Sequence, residues 1–225
     1  MGRLPRKIAT PCCYHITHRC QERKFLLKFE IDRQNYIRRL RQGTKLHDVD
    51  VLDYMVTSNH IHLLLWSAHA KKISAFMQYL AGNSSRDYNR RKKREGAFWR
   101  GRYHPTMIQD GDHLARCLLY IDLNMVRAGA CEHPRQWKTC GYHELSATRE
   151  RYRAINQNRL LDCLRMDSIK QFRSWYDKTI QEKVCYPYQT REAVWSEAMA
   201  IGSRDWLDGL TTGLRFWSIK PINII

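Results

Sequence analysis

At 225 residues, with 39 Lys and Arg against 22 Asp and Glu, the chain carries a formal net charge of +17 and is long enough to bury one sizeable core. That excess suits a polyanionic partner, nucleic acid foremost, and it is concentrated: residues 1–130 hold 24 basic and 11 acidic side chains, a net of +13. A membrane partner is disfavoured, because the apolar run Ile61-His62-Leu63-Leu64-Leu65-Trp66 is far too short to span.

The basic N-terminus, Met1 to Lys7, lacks the apolar core of a signal peptide, and Arg6 stands where a myristoylation signal takes Ser or Thr. The expected location is cytoplasmic, at the nucleoid. Eight cysteines include no Cys-x-x-Cys pair, so a zinc ribbon or thioredoxin-like motif is not indicated and the thiols read as reduced.

Cys12 to Arg19 reads as a first strand. Phe29 to Leu40, with Phe29, Ile31, Tyr36, Ile37 and Leu40, suits a short helix, and Gly43 offers a stop. Val49 to Val56 and His60 to Trp66 form a hairpin around Thr57-Ser58-Asn59. Ile73 to about Arg91 is a second helix with Ile73, Phe76, Met77 and Leu80 on one face. Phe98 to Ile108 is a loop and then a strand that Pro105 assigns partly to an edge. A third helix opens near Asp112, a possible cap, and closes at Gly129. The order β-α-β-β-α-β-α describes a split β-α-β arrangement, an antiparallel sheet with helices packed on one face. Residues 131–225 read as mostly helical, with a linker around His133-Pro134.

His60 and His62 are two apart in a strand, so both point to one face while Ile61 points to the other. Two adjacent imidazoles are half of a divalent-metal site, although most such pairs are structural or solvent-facing. In the third helix, Leu114, Leu118, Ile121 and Met125 share the core face. His113, Arg116, Tyr120, Asn124 and Arg127 fall on the opposite side, with Tyr120 and Asn124 as i, i+4 neighbours. A solvated polar face is the plain reading. The alternative is chemical: a phenol nucleophile, an amide oxygen as a hard ligand, and Arg127 as a phosphate clamp.

Tyr54-Met55-Val56-Thr57-Ser58-Asn59-His60-Ile61-His62-Leu63-Leu64-Leu65 resembles the metal-binding strand pair of the HUH single-strand transposases. Tyr14-His15-Ile16-Thr17-x-Arg19, Tyr88-Asn89-Arg90-Arg91, Phe98-Trp99-Arg100-Gly101-Arg102-Tyr103 and Tyr120-Ile121-Asp122-Leu123-Asn124-Met125-Val126-Arg127-Ala128-Gly129 resemble its REP-associated tyrosine transposase branch. The resemblance covers about residues 9–130 and implies an α+β, ferredoxin-like antiparallel sheet (the HUH endonuclease fold), followed by a mostly helical C-terminal extension over 131–225. It further implies His60, His62 and Asn124 as metal ligands and Tyr120 as the nucleophile. Ser58 and Met125 stand where the family often has proline, and Met125 is expected to let the helix run on smoothly. Trp195 to Arg204 resembles the C-terminal region of some REP-associated members.

The implied activity is a metal-dependent transposase that cleaves and rejoins single-stranded, hairpin-containing, REP-like DNA through a 5′-phosphotyrosine. Imidazole and amide ligands suit Mg²⁺ or Mn²⁺. A phenol has a reference pKa of ~10 and needs help from the metal or Arg127 to react near neutrality. The expected DNA contacts are Arg90, Arg91, Lys92, Lys93, Arg94, Arg100, Arg102 and Arg127 on phosphates, and Trp99 and Tyr103 stacking on bases. Trp66 reads as core, His15 as a structural strand residue or a neighbour of the site, and His18, His69 and His104 as ordinary surface or loop histidines. A non-catalytic single-stranded nucleic-acid-binding module is the first rival, and a hydrolase using metal-bound water the second. Monomer and homodimer are both open.

Overall fold

The computed structural model describes residues 11–149, 151–185 and 192–214. The basic stretch from Met1 to Lys7 and residues 9–10 of the matching region lie outside the described residues. In chain order the elements are β1 (Cys12–Arg19), α1 (Glu30–Leu46), β2 (Asp50–Val56), β3 (His60–Ser67), α2 (Ala70–Lys92), β4 (His104–Ile108), α3 (Asp112–Asp122), α4 (Asn124–Arg127), α5 (Tyr142–Leu145), α6 (Gln157–Leu164), α7 (Ile169–Val184), α8 (Val194–Glu197), β5 (Ala200–Ile201) and α9 (Arg204–Leu214).

The sheet runs β2-β3-β1-β4-β5. The first four strands are antiparallel, as the β-α-β-β-α-β order implies, and β5 joins parallel to β4. Thus the helical C-terminal region also supplies a strand. It covers the other edge as well: Cys140 bridges to Met55 and Ile155 to Val51, so β2 presents no open edge there. Around His133-Pro134 there is no linker but a short 3₁₀ turn, closed by a capping box between His133 and Gln136 and half-hidden in the fold. Pro105 sits opposite Ile16 in β4, where the short β5 pairs only with Met107 and Ile108, so its missing N–H costs no ladder bond on that side.

Strand alternation divides the sheet into two faces. Tyr14, Ile16 and His18 of β1 share one face, under α1 and α2. There His18 stacks on Trp99 at 4.2 Å, and Trp99 meets Tyr36 of α1. Cys13, His15 and Thr17 share the other with Leu64 and His62, and on that side lie Tyr120 of α3 and Trp195 of α8. The pair α1 and α2 on one face is the ferredoxin-like layer; the tyrosine helix covers the opposite face.

Gly43 does not stop α1, which continues to Leu46. Its hydrogen lets the two helices approach: a Cβ at Gly43 would stand 2.8 Å from Cε2 of the buried Phe76 in α2. Asp112 does not cap α3. Gly111, at φ +79, is the N-cap, and Asp112 sits in the first turn, where a carboxylate favours the helix dipole.

Candidate active site

The third helix is interrupted. It ends at Asp122, Leu123 takes φ −82 and ψ 4, and a separate turn, α4, begins at Asn124 and closes at Gly129, φ +65. Met125 therefore does not carry the helix smoothly through; the break comes two residues earlier. Arg127 donates through Nη2 to the carbonyl of Tyr120, beside that break, and its Cζ lies 4.1 Å over the Tyr120 ring. Arg127 thus packs on the tyrosine instead of projecting as an outward phosphate clamp.

The break leaves Asn124 facing the sheet. Its Nδ2 lies 3.2 Å from His62 Nε2, and the His60 and His62 rings meet edge-on with centroids 4.9 Å apart. The Tyr120 ring is 6.0 Å from both His62 and His15. His60, His62, Asn124 and Tyr120, from β3, α4 and α3, are brought together.

The hydrogen bonds around the histidines decide which nitrogens are presented. His60 Nδ1 donates to Asn59 Oδ1 at 2.7 Å, with Thr57 Oγ1 at 2.9 Å, so its lone pair resides on Nε2. His15 Nδ1 donates to the Trp195 carbonyl at 2.7 Å, which makes its Nε2 an acceptor, and that nitrogen lies 2.8 Å from His62 Nδ1. His62 must then donate from Nδ1, leaving its own Nε2 as a lone pair toward Asn124. Burial holds His15 in the neutral form this chain requires, lowering its pKa to about 3, and holds His62 well below the usual range. Two imidazole Nε2 atoms with fixed tautomers, beside an amide whose oxygen and nitrogen exchange by a 180° turn, fit a divalent ion.

A cleft of about 320 Å³ adjoins this group, lined by Thr17, Arg19, Arg23, Arg100, Arg102, His104, Ser196 and Glu197. Thr17 pairs with His62 and Arg19 with His60, so the cleft continues the same sheet face. Arg100 and Arg102, two of the residues read as DNA contacts, line it. Arg19, Arg23 and His104 were not anticipated there, although alternation along β1 already aligned Arg19 with His15 and Thr17. His104 is no ordinary loop residue: it meets the Ala198 carbonyl at 2.9 Å. His18 is buried, bound to the Gly101 carbonyl.

Other expected DNA contacts lie elsewhere. Trp99 and Tyr103 are less than a tenth exposed. Trp99 stacks on His18 and donates to the Ala81 carbonyl, and Tyr103 lies beside His18 and Ser74, so neither ring is available for base stacking. Arg91 pairs with the buried Asp32, Arg94 bonds Asn89 and the Ala97 carbonyl, and Lys92 covers the Phe29 ring. Arg90 lies 3.6 Å from Asp87, and Lys93 takes the left-handed C-cap of α2. Trp66 is half-buried under the Arg159 guanidinium. Tyr120 itself is 6% exposed, stacked against Trp195 at 5.6 Å.

Residues 9–124 match the family model for IS200-like transposases. The chain belongs to that family. A solved REP-associated tyrosine transposase bound to a REP hairpin shares the fold: 15% identity, TM-score 0.53, covering 65% of this chain and 86% of that one. A Deinococcus radiodurans R1 protein described as a transposase aligns at 19% identity with TM-score 0.38, covering 54% of this chain and 96% of that one. Among curated proteins, none matches the chain.

Proposed function

We propose that this transposase cleaves and rejoins single-stranded, hairpin-containing DNA, with Tyr120 as nucleophile and His60, His62 and Asn124 as the divalent-metal ligands. The observation that carries the reading is that the His60 and His62 rings, their tautomers set by hydrogen bonds at Nδ1, meet the Asn124 amide beside a tyrosine, next to a cleft lined by four arginines. When bound, Mg²⁺ or Mn²⁺ supplies charge for the phosphate oxygens and the departing 3′ oxygen.

The side chains perform the rest. Arg19, Arg23, Arg100 and Arg102 hold the strand by its phosphates. Tyr120 Oη, on losing its proton, forms a bond to phosphorus as the P–O3′ bond breaks, giving a 5′-phosphotyrosine and, once the alkoxide takes a proton, a free 3′-OH. Attack by a second 3′-OH reverses the step and returns the proton to Tyr120, so rejoining conserves the phosphodiester and needs no nucleotide cofactor. Tyr120 lies under the side chains of Trp195 and Arg127, so productive binding requires these two side chains to turn from the ring while the Trp195 carbonyl stays on His15. A REP-like hairpin is the substrate class we propose, by analogy with the hairpin in the structure of similar fold. We place the protein in the cytoplasm, at the nucleoid; among the described residues, no helix is long and apolar enough to cross a membrane.

The test uses a single-stranded hairpin oligonucleotide, Mn²⁺ or EDTA, and a denaturing gel. A metal-dependent covalent protein–DNA band, lost in Tyr120→Phe with binding retained, is expected. Binding without that band across several hairpins identifies the non-catalytic module. Nicking that survives Tyr120→Phe identifies a hydrolase using metal-bound water.

A further inference from the structure

Away from the histidines, a second set of ligand atoms converges. Among the described residues, Cys13, Asp110 and Cys163 are the one group of three His, Cys, Asp or Glu side chains whose ligand atoms all lie within 4.8 Å of one another. Cys13 Sγ donates to Asp110 Oδ1 at 3.1 Å.

These residues sit on fixed backbone. Cys13 lies in β1 and pairs with Ile108, the last residue of β4, two before Asp110. Asp110 occupies the turn from β4 into α3. Cys163 is in the final turn of α6, and its carbonyl accepts from the Gly111 N–H at 2.8 Å, which docks α6 onto that turn. Both thiols are buried and Asp110 is exposed, so the group opens to solvent on the carboxylate side.

We propose that Cys13, Cys163 and Asp110 form a metal site for a thiophilic divalent cation of the zinc class, completed by water. Two sulfurs and one carboxylate oxygen are the donor set of a borderline-soft ion. Tetrahedral coordination at ordinary Zn–S and Zn–O lengths places ligand atoms roughly 3.5–3.8 Å apart, within reach of small rotamer changes here. On binding, each Sγ forms a bond to the ion and its proton passes to solvent, two protons per ion, while the carboxylate oxygen displaces a metal-bound water.

The site differs in kind from the His60, His62 and Asn124 set, which has no thiolate, so the two select different ions. Its occupancy ties β1, the turn that starts the Tyr120 helix, and α6 into one unit. This inference stands whether or not the proposed cleavage chemistry holds.

The test uses the full chain, reduced with a phosphine, stripped with EDTA, desalted, and titrated with Co²⁺ alone. One equivalent giving a thiolate-to-cobalt charge-transfer band is expected. The band should persist in His60→Ala/His62→Ala and vanish in Cys163→Ser. Asp110→Asn, an isosteric change at an exposed position whose amide oxygen can still accept from Cys13, should weaken Co²⁺ binding at least tenfold with the far-UV spectrum of the metal-free protein unchanged. Zn²⁺ should displace Co²⁺ and raise the melting temperature by several degrees. Absence of the band, a band that survives Cys163→Ser, or Asp110→Asn binding as tightly as the parent overturns the site. So does a Cys13–Cys163 disulfide that persists through the phosphine treatment and excludes Co²⁺.

Discussion

His15 Nε2 lies 2.8 Å from His62 Nδ1, and the far side of His15 is tied to the Trp195 carbonyl at 2.7 Å. A backbone carbonyl from the C-terminal region thereby sets, through His15, which nitrogen of His62 carries the lone pair. Outer partners of this kind commonly govern metal affinity by about 10–100-fold. We expect His15→Ala to weaken Mn²⁺ binding on that scale while leaving hairpin binding intact, with cleavage recovered at high Mn²⁺. A Mn²⁺ titration of cleavage and binding checks it; an unchanged Mn²⁺ midpoint would show that His62 orients itself without the relay.

Asp53 and Asp122 are fully buried, and among the described residues three of their four carboxylate oxygens find no partner at full hydrogen-bond geometry. The fourth, Asp122 Oδ2, is satisfied by the Tyr176 hydroxyl. Burial raises both pKa values, with their mutual repulsion adding at Asp53; Asp122 is pushed up to about 7. An acid whose folded pKa is raised lends stability that is fully present below its unfolded pKa near 3.8 and is lost as pH rises through the folded value. Asp53→Asn removes one charge from the pair. The variant should therefore gain on the parent by roughly 1–3 kcal/mol between pH 5 and pH 8. The neutral His15 works in the other direction, its contribution full above pH 6.5 and lost toward pH 3, and it cancels between parent and variant. Denaturant melts at the two pH values decide the matter. A gap that stays constant would mean the pair shares no proton.

Gly43 sits in mid-helix, where alanine would ordinarily gain about 1 kcal/mol. Here the added methyl would meet Phe76 Cε2 at 2.8 Å and Cδ2 at 3.2 Å, on a ring with no exposed surface. Overpacking of that kind costs about 1–3 kcal/mol, so Gly43→Ala should be net destabilising. Chemical denaturation checks it, and a more stable variant would show that α1 and α2 separate freely.

Much of the fold was legible because strand alternation and helix periodicity are local signals. His60 and His62 share a face by chain geometry alone, and the core stripe of Leu114, Leu118 and Ile121 is buried as its spacing implies. What was not legible came from long-range partners. The flanks of α3 and part of its polar side are not solvated: Cys117, Leu119 and Asp122 are buried beside the core stripe, the last under Tyr176, more than fifty residues away, and Tyr120 is buried while Arg116 alone of the polar set is exposed. Glu144 is fully buried because Tyr54 and the amides of Ala154 and Ile155 supply donors at 2.7, 2.8 and 2.9 Å. Gly43 read as a stop because glycine ends helices by its φ; its use for close approach depends on a second helix thirty residues on. Trp99 and Tyr103 suggested base stacking by residue type, and only the packing of His18 and Ser74 against them shows otherwise.

The basic residues now separate into two groups with different expected effects. Arg19 and Arg102 line the cleft beside His60 and His62, whereas Arg91 is committed to the buried Asp32. Each phosphate contact on single-stranded nucleic acid contributes about 0.7 to the slope of log K against log salt. Arg19→Ala and Arg102→Ala should each weaken hairpin binding and lower that slope by about 0.7. Arg91→Ala should leave the slope unchanged and instead cost about 1–3 kcal/mol of stability, because Asp32 loses its charged donor in a buried position. Fluorescence anisotropy of a labelled hairpin over a salt series, read beside denaturant melts, separates the two effects. If Arg91→Ala lowered the slope while Arg102→Ala did not, the strand would run along the end of α2, away from the histidines. Tyr120 could then not reach the scissile phosphate along the cleft, and the active-site assignment would fail with it.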